Sequence, residues 1–414
     1  MTFPQSIKHN QAIELILKQL ESKALATEVL PLKSILGRVL AQTIIAPIDV
    51  PAFHCSQMDG YAINLECLEL NKRAGAYLLD LSEPIHATIQ EKPVSCAQRA
   101  VPIMTGGLMP VDANAIIIKE HGTVKGKQLT FTKKPVKGQY IRKPGSDLKQ
   151  GSVVLEIGQS LTAAHLGLLA SLGLGEVEVL KQPQVALMMT GDELVQPGQK
   201  CLPGQIYEAN TFMLSALLSK MGCAVSVLNV LTDSKEVVRD GMNSIKHQNY
   251  DLIISVGGVS MGEKDWIAPM LEEQGQVVFH KVKIKPGFPM IFGRLQDTLF
   301  YGLPGNPVSA YTTLCQYVFP AIQRLIKQSR YQSTVCAKLT HDLIKTHDRR
   351  EYLRGFYEMD HHNGSVNVSV CGEQQSSRIE SIAQANCFIV LCESDCEMKD
   401  GDAVKIQPFE QFYL

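Results

Sequence analysis

Apolar positions change their spacing along this chain, and each change marks a candidate domain edge. Residues 10–22 carry Ala12, Ile13, Ile16, Leu17 and Leu20 at helical spacing on one face, with Asn10 placed as a cap. From 51 to 143 the texture becomes short β-prone runs (76–81, 115–119, 128–132) broken by Gly, Pro and Asn. That pattern predicts a β-rich module inserted into a mixed domain that starts within residues 1–50 and resumes over 144–180. A strand at 153–157 and a helix over 162–172, closed by Gly173, belong to the resumed part.

The most regular stretch lies within residues 181–328. A buried strand at 185–189 precedes a helix from Asn210 to Met221, with Gly222 just past its end. Then follow a strand at 224–230, a helix at 234–248, a strand at 252–256 and a helix near 266–274. Strands at 277–284 and 298–303 lead into a long helix over 307–327. Strands alternating with helices of this length predict a doubly wound α/β domain with a mainly parallel sheet. Over 329–414 short alternating strands (365–370, 387–391, 403–406) predict a small β-barrel or sandwich. The fold class is therefore α/β and β, multidomain.

Composition narrows the function classes. Lys+Arg 40 against Asp+Glu 41 gives a formal charge of -1, so nothing draws the chain to nucleic acid or to an anionic membrane surface. The apolar runs are far shorter than the ~20 residues a membrane span needs. The first ten residues show no secretory leader. Eleven cysteines without a CxxC pair read as reduced packing thiols of a cytoplasmic protein.

Candidate chemistry collects where the α/β strands end. In open α/β sheets ligands bind beyond the carboxyl ends of the strands. Here those ends read TGDE (190–193), LTDS (231–234), GGVSMGEKD (257–265) and GLPGNP (302–307). The glycine-rich turns, including Gly257, Gly258, Ser260, Pro304, Gly305 and Asn306, let backbone amides approach an anion, each before a helix whose first turn offers further amides. The glycines are misplaced for a dinucleotide fingerprint. Asp192, Glu193, Asp233, Glu263 and Asp265 share these turns, and acids beside an anion site call for a bridging cation of the Mg²⁺ type. Lys281, Lys283 and Lys285 alternate with Val282 and Ile284, which at strand spacing sets three ammonium groups on one face, as an anion site or equally as a solvated edge strand guarded by lysine. Elsewhere Asp59-Gly60 reads by itself as a hairpin turn. The segments at Thr105–Gly107, Arg142–Asp147 and Ser376–Arg378 are polar turns of no specificity alone.

Taken together the segments resemble the molybdopterin molybdenumtransferases, the family of bacterial MoeA and the gephyrin E domain. The match runs in order through MDGYA (58–62), IMTG (103–106), TGDEL (190–194), GGVSMGEKD (257–265), KPG (285–287), GLPGNPVSA (302–310) and a Ser376…Ser381…Ala385-Asn386 string. The resemblance implies a molybdopterin-binding α/β domain flanked by β modules, and a homodimer with its active cleft between subunits. It implies that Asp59, Thr105, Arg142 and Asp147 face the cleft from one subunit. Glu193, Asp233, Asp265, Lys281, Lys285, Pro304, Pro307 and Ser376 would line it from the other. The implied reaction takes adenylylated molybdopterin and molybdate, uses Mg²⁺, and yields molybdenum cofactor and AMP, with transient contact to the adenylyltransferase that prepares the substrate. On that reading Asp233 and Asp265 place the metal, and Glu193 and Asp147 are candidates for proton handling or metal ligation.

Three positions depart from the family pattern: Phe288 where a lysine is usual, Ser146 in place of the first acid of a GED turn, and Asn114 in place of an acid. Two other readings stand beside the transferase: a scaffold that keeps the fold without turnover, and the adenylyltransferase itself. A scaffold has no need of Asp59, Glu193, Asp233 and Asp265 together, and an adenylyltransferase has no need of the modules carrying MDGYA and IMTG.

Overall fold

The structure is a computed structural model that describes residues 3–85, 93–228, 232–259, 265–328 and 334–412. Its centre is a seven-stranded sheet in the order Gln5–Ile7, Gln276–Val282, Ile291–Leu295, Thr298–Leu303, Leu252–Val256, Gln184–Met189, Ala224–Val227. Only Ile291–Leu295 runs against its neighbours, so the sheet is mainly parallel as expected. Alternate residues serve opposite faces. Val185, Leu187 and Met189 join one core with Leu214, Leu217 and Leu218 of helix Asn210–Lys220. Ala186 and Met188 join the other with Val238, Met242 and Ile245 of helix Lys235–Ile245 and Ile267, Met270 and Leu271 of helix Ile267–Gln274. Burying both faces of each strand is what makes these strands read as unbroken apolar runs.

Several elements differ from expectation. The first helix spans His9–Lys18 with Lys8 as its cap, so Asn10 lies inside the first turn and caps nothing. Asn210 is likewise the first helical residue, after Ala209. The strand Gln5–Ile7 adds to the sheet edge beside Gln276–Val282, a pairing of distant segments that three residues cannot announce. Ile291–Leu295 was unread because it holds Gly293, a strand-weakening residue used here for close approach: a Cβ would lie 2.1 Å from Gln276 O. The long helix is interrupted, α over Pro307–Thr313, π over Leu314–Val318, α again over Phe319–Leu325. Pro320 has no amide to return to the carbonyl of Gln316, which accounts for the widened turn.

In the C-terminal domain five strands close a ring. Arg350–Met359 pairs with Val366–Val370 and Cys387–Leu391, and Val335–Leu339 and Ala403–Pro408 complete the circuit. The expected strand 277–284 does not continue to Lys285. It leaves the large sheet after Val282, and Ile284–Lys285 pairs in parallel with the start of Arg350–Met359. Lys281 takes φ +67, so the three lysines do not form one row on one face. In the N-terminal half, Thr27–Pro31 pairs with Glu176–Leu180, and Ile44–Ile45 with Val153–Leu155, joining the chain on both sides of the inserted β-rich module. All eleven cysteines are unpaired. Among the described residues no helix is long and apolar enough to cross a membrane.

Candidate active site

The strand-end turns of the α/β domain meet as the sequence suggests. Thr190 N donates to Val256 O, and Gly257 N to Leu303 O, each at 3.0 Å, which ties three strand ends side by side. Gly257 has φ +94, and a Cβ there would sit 2.7 Å from Thr190 O. Gly305 approaches in turn, its Cβ position 3.6 Å from Gly257 Cα. Only glycine permits this backbone-to-backbone approach at 257. Asp192 and Asp233 exchange backbone-to-carboxylate bonds across neighbouring turns, Asp233 N donating to Asp192 Oδ1 at 2.9 Å and Asp192 N to Asp233 Oδ2 at 3.4 Å. Glu193 folds back over Gly191, its Oε2 2.9 Å from where a Cβ would stand. Asp265 lies two residues before Ile267, whose amide donates to Gly258 O and whose side chain underlies that glycine. Ser260 and Glu263 lie outside the described residues.

The other side of the Pro304–Asn306 turn opens into a cleft of about 620 Å³ between the α/β domain and the barrel. Lys285, Phe288, Pro304, Asn306, Ser309, Arg349 and Ser376 are among its lining residues. Asn306 Nδ2 donates to Ser376 Oγ at 3.1 Å, and Val308 N to Ser376 O at 3.2 Å, so the Ser376 loop is fastened to the helix that starts at Pro307. The loop is also held from behind. Buried Arg354 donates through Nε to Ser381 Oγ and through its terminal nitrogen to Glu373 O and Gln375 O. Asn386 pairs both ways with the backbone of Tyr357, which gives each polar member of the Ser376…Ser381…Asn386 string a structural bond.

The expectation of bare helix amides needs correction. Pro307 has no amide, Val308 donates to Ser376 O, and Ile267 donates to Gly258 O. Those two amides are spent within the fold, and the cations that line the cleft are Lys285 and Arg349. Lys281 Nζ and the Arg349 guanidinium lie 6.0 and 5.8 Å from the Phe288 ring centre, so the aromatic residue that departs from the family pattern holds two cations beside it. Lys283 turns to Asp348 at 4.0 Å.

A second group sits on the β-rich module. Gly60 begins the central strand Gly60–Ile63 between Val101–Ile103 and Ala115–Ile118, and is not a hairpin turn. A Cβ there would lie 2.1 Å from Ile117 O, so the strand needs glycine. Asp59 Oδ1 accepts from both the amide and the hydroxyl of Thr105 at 2.7 Å. These bonds, the amide's first, hold the Asp59 carboxyl below its usual range. Arg142 reaches Asp147 Oδ2 at 3.2 Å, and strand Ile141–Arg142 pairs with Cys55–Ser56, whose Ser56 bonds Gly106 and Gly107. Asn114 accepts from Leu65 N at 2.9 Å, a structural use for one departure.

Comparison with known proteins gives the decisive observation. Family models match nearly end to end: the MoeA N-terminal region (domains I and II) at 7–173, a "probable molybdopterin binding domain" at 186–324, and the MoeA C-terminal region (domain IV) at 336–409. The chain belongs to the MoeA family. A molybdopterin molybdenumtransferase of Haemophilus influenzae is 39% identical, over 92% of this chain and 94% of its own length. Gephyrin of Dictyostelium discoideum is 30% identical over 96% of this chain and 61% of its own. A solved structure of a molybdopterin biosynthesis MoeA protein from Pyrococcus horikosii superposes with a TM-score of 0.82 at 27% identity, covering 98% of this chain and 99% of that one.

Within this MoeA-family chain, sequence reasoning missed Arg349, Ser309, Asn210 and Glu351. Asn210 Nδ2 donates to Gly305 O at 2.8 Å, bracing the turn between rim and cleft. Arg349 lies just before and Glu351 just inside a barrel strand, in a charged run with no turn or glycine signal to mark them. A metal could be held here only in part by protein. Among the described residues no three His, Cys, Asp or Glu side chains converge as a cage. Acids on adjoining turns, one or two at a time, fit a Mg²⁺ that arrives with phosphate and keeps its waters.

Proposed function

We propose that this chain is a molybdopterin molybdenumtransferase, which takes adenylylated molybdopterin and molybdate to molybdenum cofactor and AMP. The observation that carries the reading is the shared Pro304–Asn306 turn. Gly305 abuts Gly257 of the neighbouring glycine turn, while Pro304 and Asn306 line a cleft bearing Lys285, Arg349, Ser309 and Ser376. An oxyanion in the cleft and a pyrophosphate on the rim would then be neighbours, which is the proximity that metal insertion requires.

In this reading Lys285, Arg349 and the two serines hold molybdate, while Gly257, Gly258 and Gly305 leave room for the substrate's backbone contacts. Glu193, Asp233 and Asp265 would hold Mg²⁺, which when bound neutralises charge on the pyrophosphate and polarises the bond to AMP. Asp59, Thr105, Arg142 and Asp147 would complete the site from the second subunit of a homodimer. Their polar patch on a separate module, organised and exposed, supports that reading.

Purified protein incubated with adenylylated molybdopterin, Mg²⁺ and molybdate should release AMP only when molybdate is present. Consumption of ATP would instead indicate an adenylyltransferase, and binding without turnover a scaffold. Asp265→Asn should abolish the release; full turnover of that variant at saturating Mg²⁺ would remove Asp265 from the metal set.

A further inference from the structure

The Lys285 ammonium is not an isolated charge on the cleft wall. Its Nζ lies 2.9 Å from Glu351 Oε1, and Glu351 Oε2 lies 3.3 Å from His347 Nε2. The Glu351 side chain is 8% exposed, the Lys285 side chain 43%. Backbone pairing enforces the contact, because Lys285 and Glu351 are in register where Ile284–Lys285 runs beside Arg350–Met359. The two residues belong to the α/β domain and to the barrel, so their ion pair spans the same boundary as the cleft. Neighbouring cations are engaged elsewhere. Lys345 donates to the carbonyls of Cys392, Glu393 and Asp395, Arg354 to Ser381 and its loop, and Arg349 lies over Phe288. The buried carboxylate thus meets Lys285 on one oxygen and His347 on the other, with the Arg354 charge close by.

We propose that Glu351 is a positioning residue that holds the Lys285 ammonium at the cleft wall and offsets part of its charge. An incoming oxyanion competes with a resident carboxylate. The inference rests on the molybdate-transfer reading and deepens it. An anion clamped by uncompensated cations is stabilised in its ground state, which does nothing for the step that follows. Glu351 keeps the oxyanion loosely held, so that it can leave the cleft for its sulfur ligands.

Glu351→Gln keeps the size and an acceptor for Lys285 while removing the charge. Calorimetry with inorganic molybdate on the full chain should show the dissociation constant falling roughly three- to tenfold, with a steeper salt dependence, as expected for a lost counter-charge nearby. The kcat for AMP release should fall in parallel. The tightening should vanish in a Lys285→Met background. A mere brace between domains predicts a lower melting temperature and no gain in affinity, so unchanged or weaker binding overturns the proposal. If Glu351→Gln does not fold, Glu351→Asp, which withdraws the carboxylate by one methylene, should tighten binding in the same direction by less. Wild-type protein that never releases AMP defeats the functional reading. Wild-type turnover with no tightening in the variant defeats only this inference.

Discussion

Asn306 and Ser376 meet across the boundary between the α/β domain and the barrel, Nδ2 donating to Oγ at 3.1 Å. The backbone bond from Val308 N to Ser376 O holds the loop independently of that hydroxyl. Ser376→Ala should therefore change stability by no more than about 1 kcal/mol, the usual net worth of one such bond. Turnover should fall roughly tenfold, because the cleft loses a hydroxyl and a fixed amide orientation. Thermal melting and molybdate-dependent AMP release, measured on the same preparation, separate the two effects.

The two glycines at the rim should respond differently to the same substitution. Gly257→Ala forces a Cβ to within 2.7 Å of a backbone oxygen at φ +94 and should cost about 1–3 kcal/mol, read as a shift in the urea midpoint. Gly305→Ala meets nothing nearer than 3.6 Å and should fold normally. Its methyl would nonetheless stand in the space between rim turns, so substrate binding should weaken. Equal stability losses in both variants would contradict this division.

The Asp59 carboxyl is lowered first by the Thr105 amide and then by the Thr105 hydroxyl. Thr105→Val removes only the second, so the Asp59 pKa should rise yet stay below its ordinary value of 3.8. A group with a depressed folded pKa contributes stability above its unfolded value and loses it as pH falls through the folded one. The acid limb of the stability profile should accordingly move upward in Thr105→Val. Carboxyl-detected NMR titration reports the shift directly.

His9 is buried against Tyr317, with its Nδ1 2.9 Å from the phenol oxygen. Burial, and then the charge of Arg350, lowers its pKa from 6.5 to about 3. Between those values the unfolded chain binds a proton that the folded chain refuses, so stability should decline as pH drops from 6.5 toward 3. His9→Gln should flatten that decline. Urea midpoints followed through this range would show no such flattening if His9 were already protonated in the native chain.

Sequence alone revealed the strand ends well, because parallel strands buried on both faces leave apolar runs that stop abruptly at polar turns. TGDE, GGV and GLPGN are adjacent for that reason. Pairings between distant segments left no such trace. By spacing Lys285 continues the row of Lys281 and Lys283, whereas in the fold it pairs with a barrel strand some sixty residues later. Arg349 and Glu351 were invisible because charged residues at a strand start look like any solvated loop until the opposite wall is in place. The first-turn amides of Val308 and Ile267 read as open in the sequence, since no local pattern tells that the carbonyls of Ser376 and Gly258 already accept from them.

The edge strand Gln5–Ile7 has a consequence for how this molecule is made. The segment it must join, Gln276–Val282, is synthesised more than two hundred residues after it. Until then the central sheet has no finished border on that side. An excised α/β domain would emerge with the same raw border, open to pairing with whatever strand it meets.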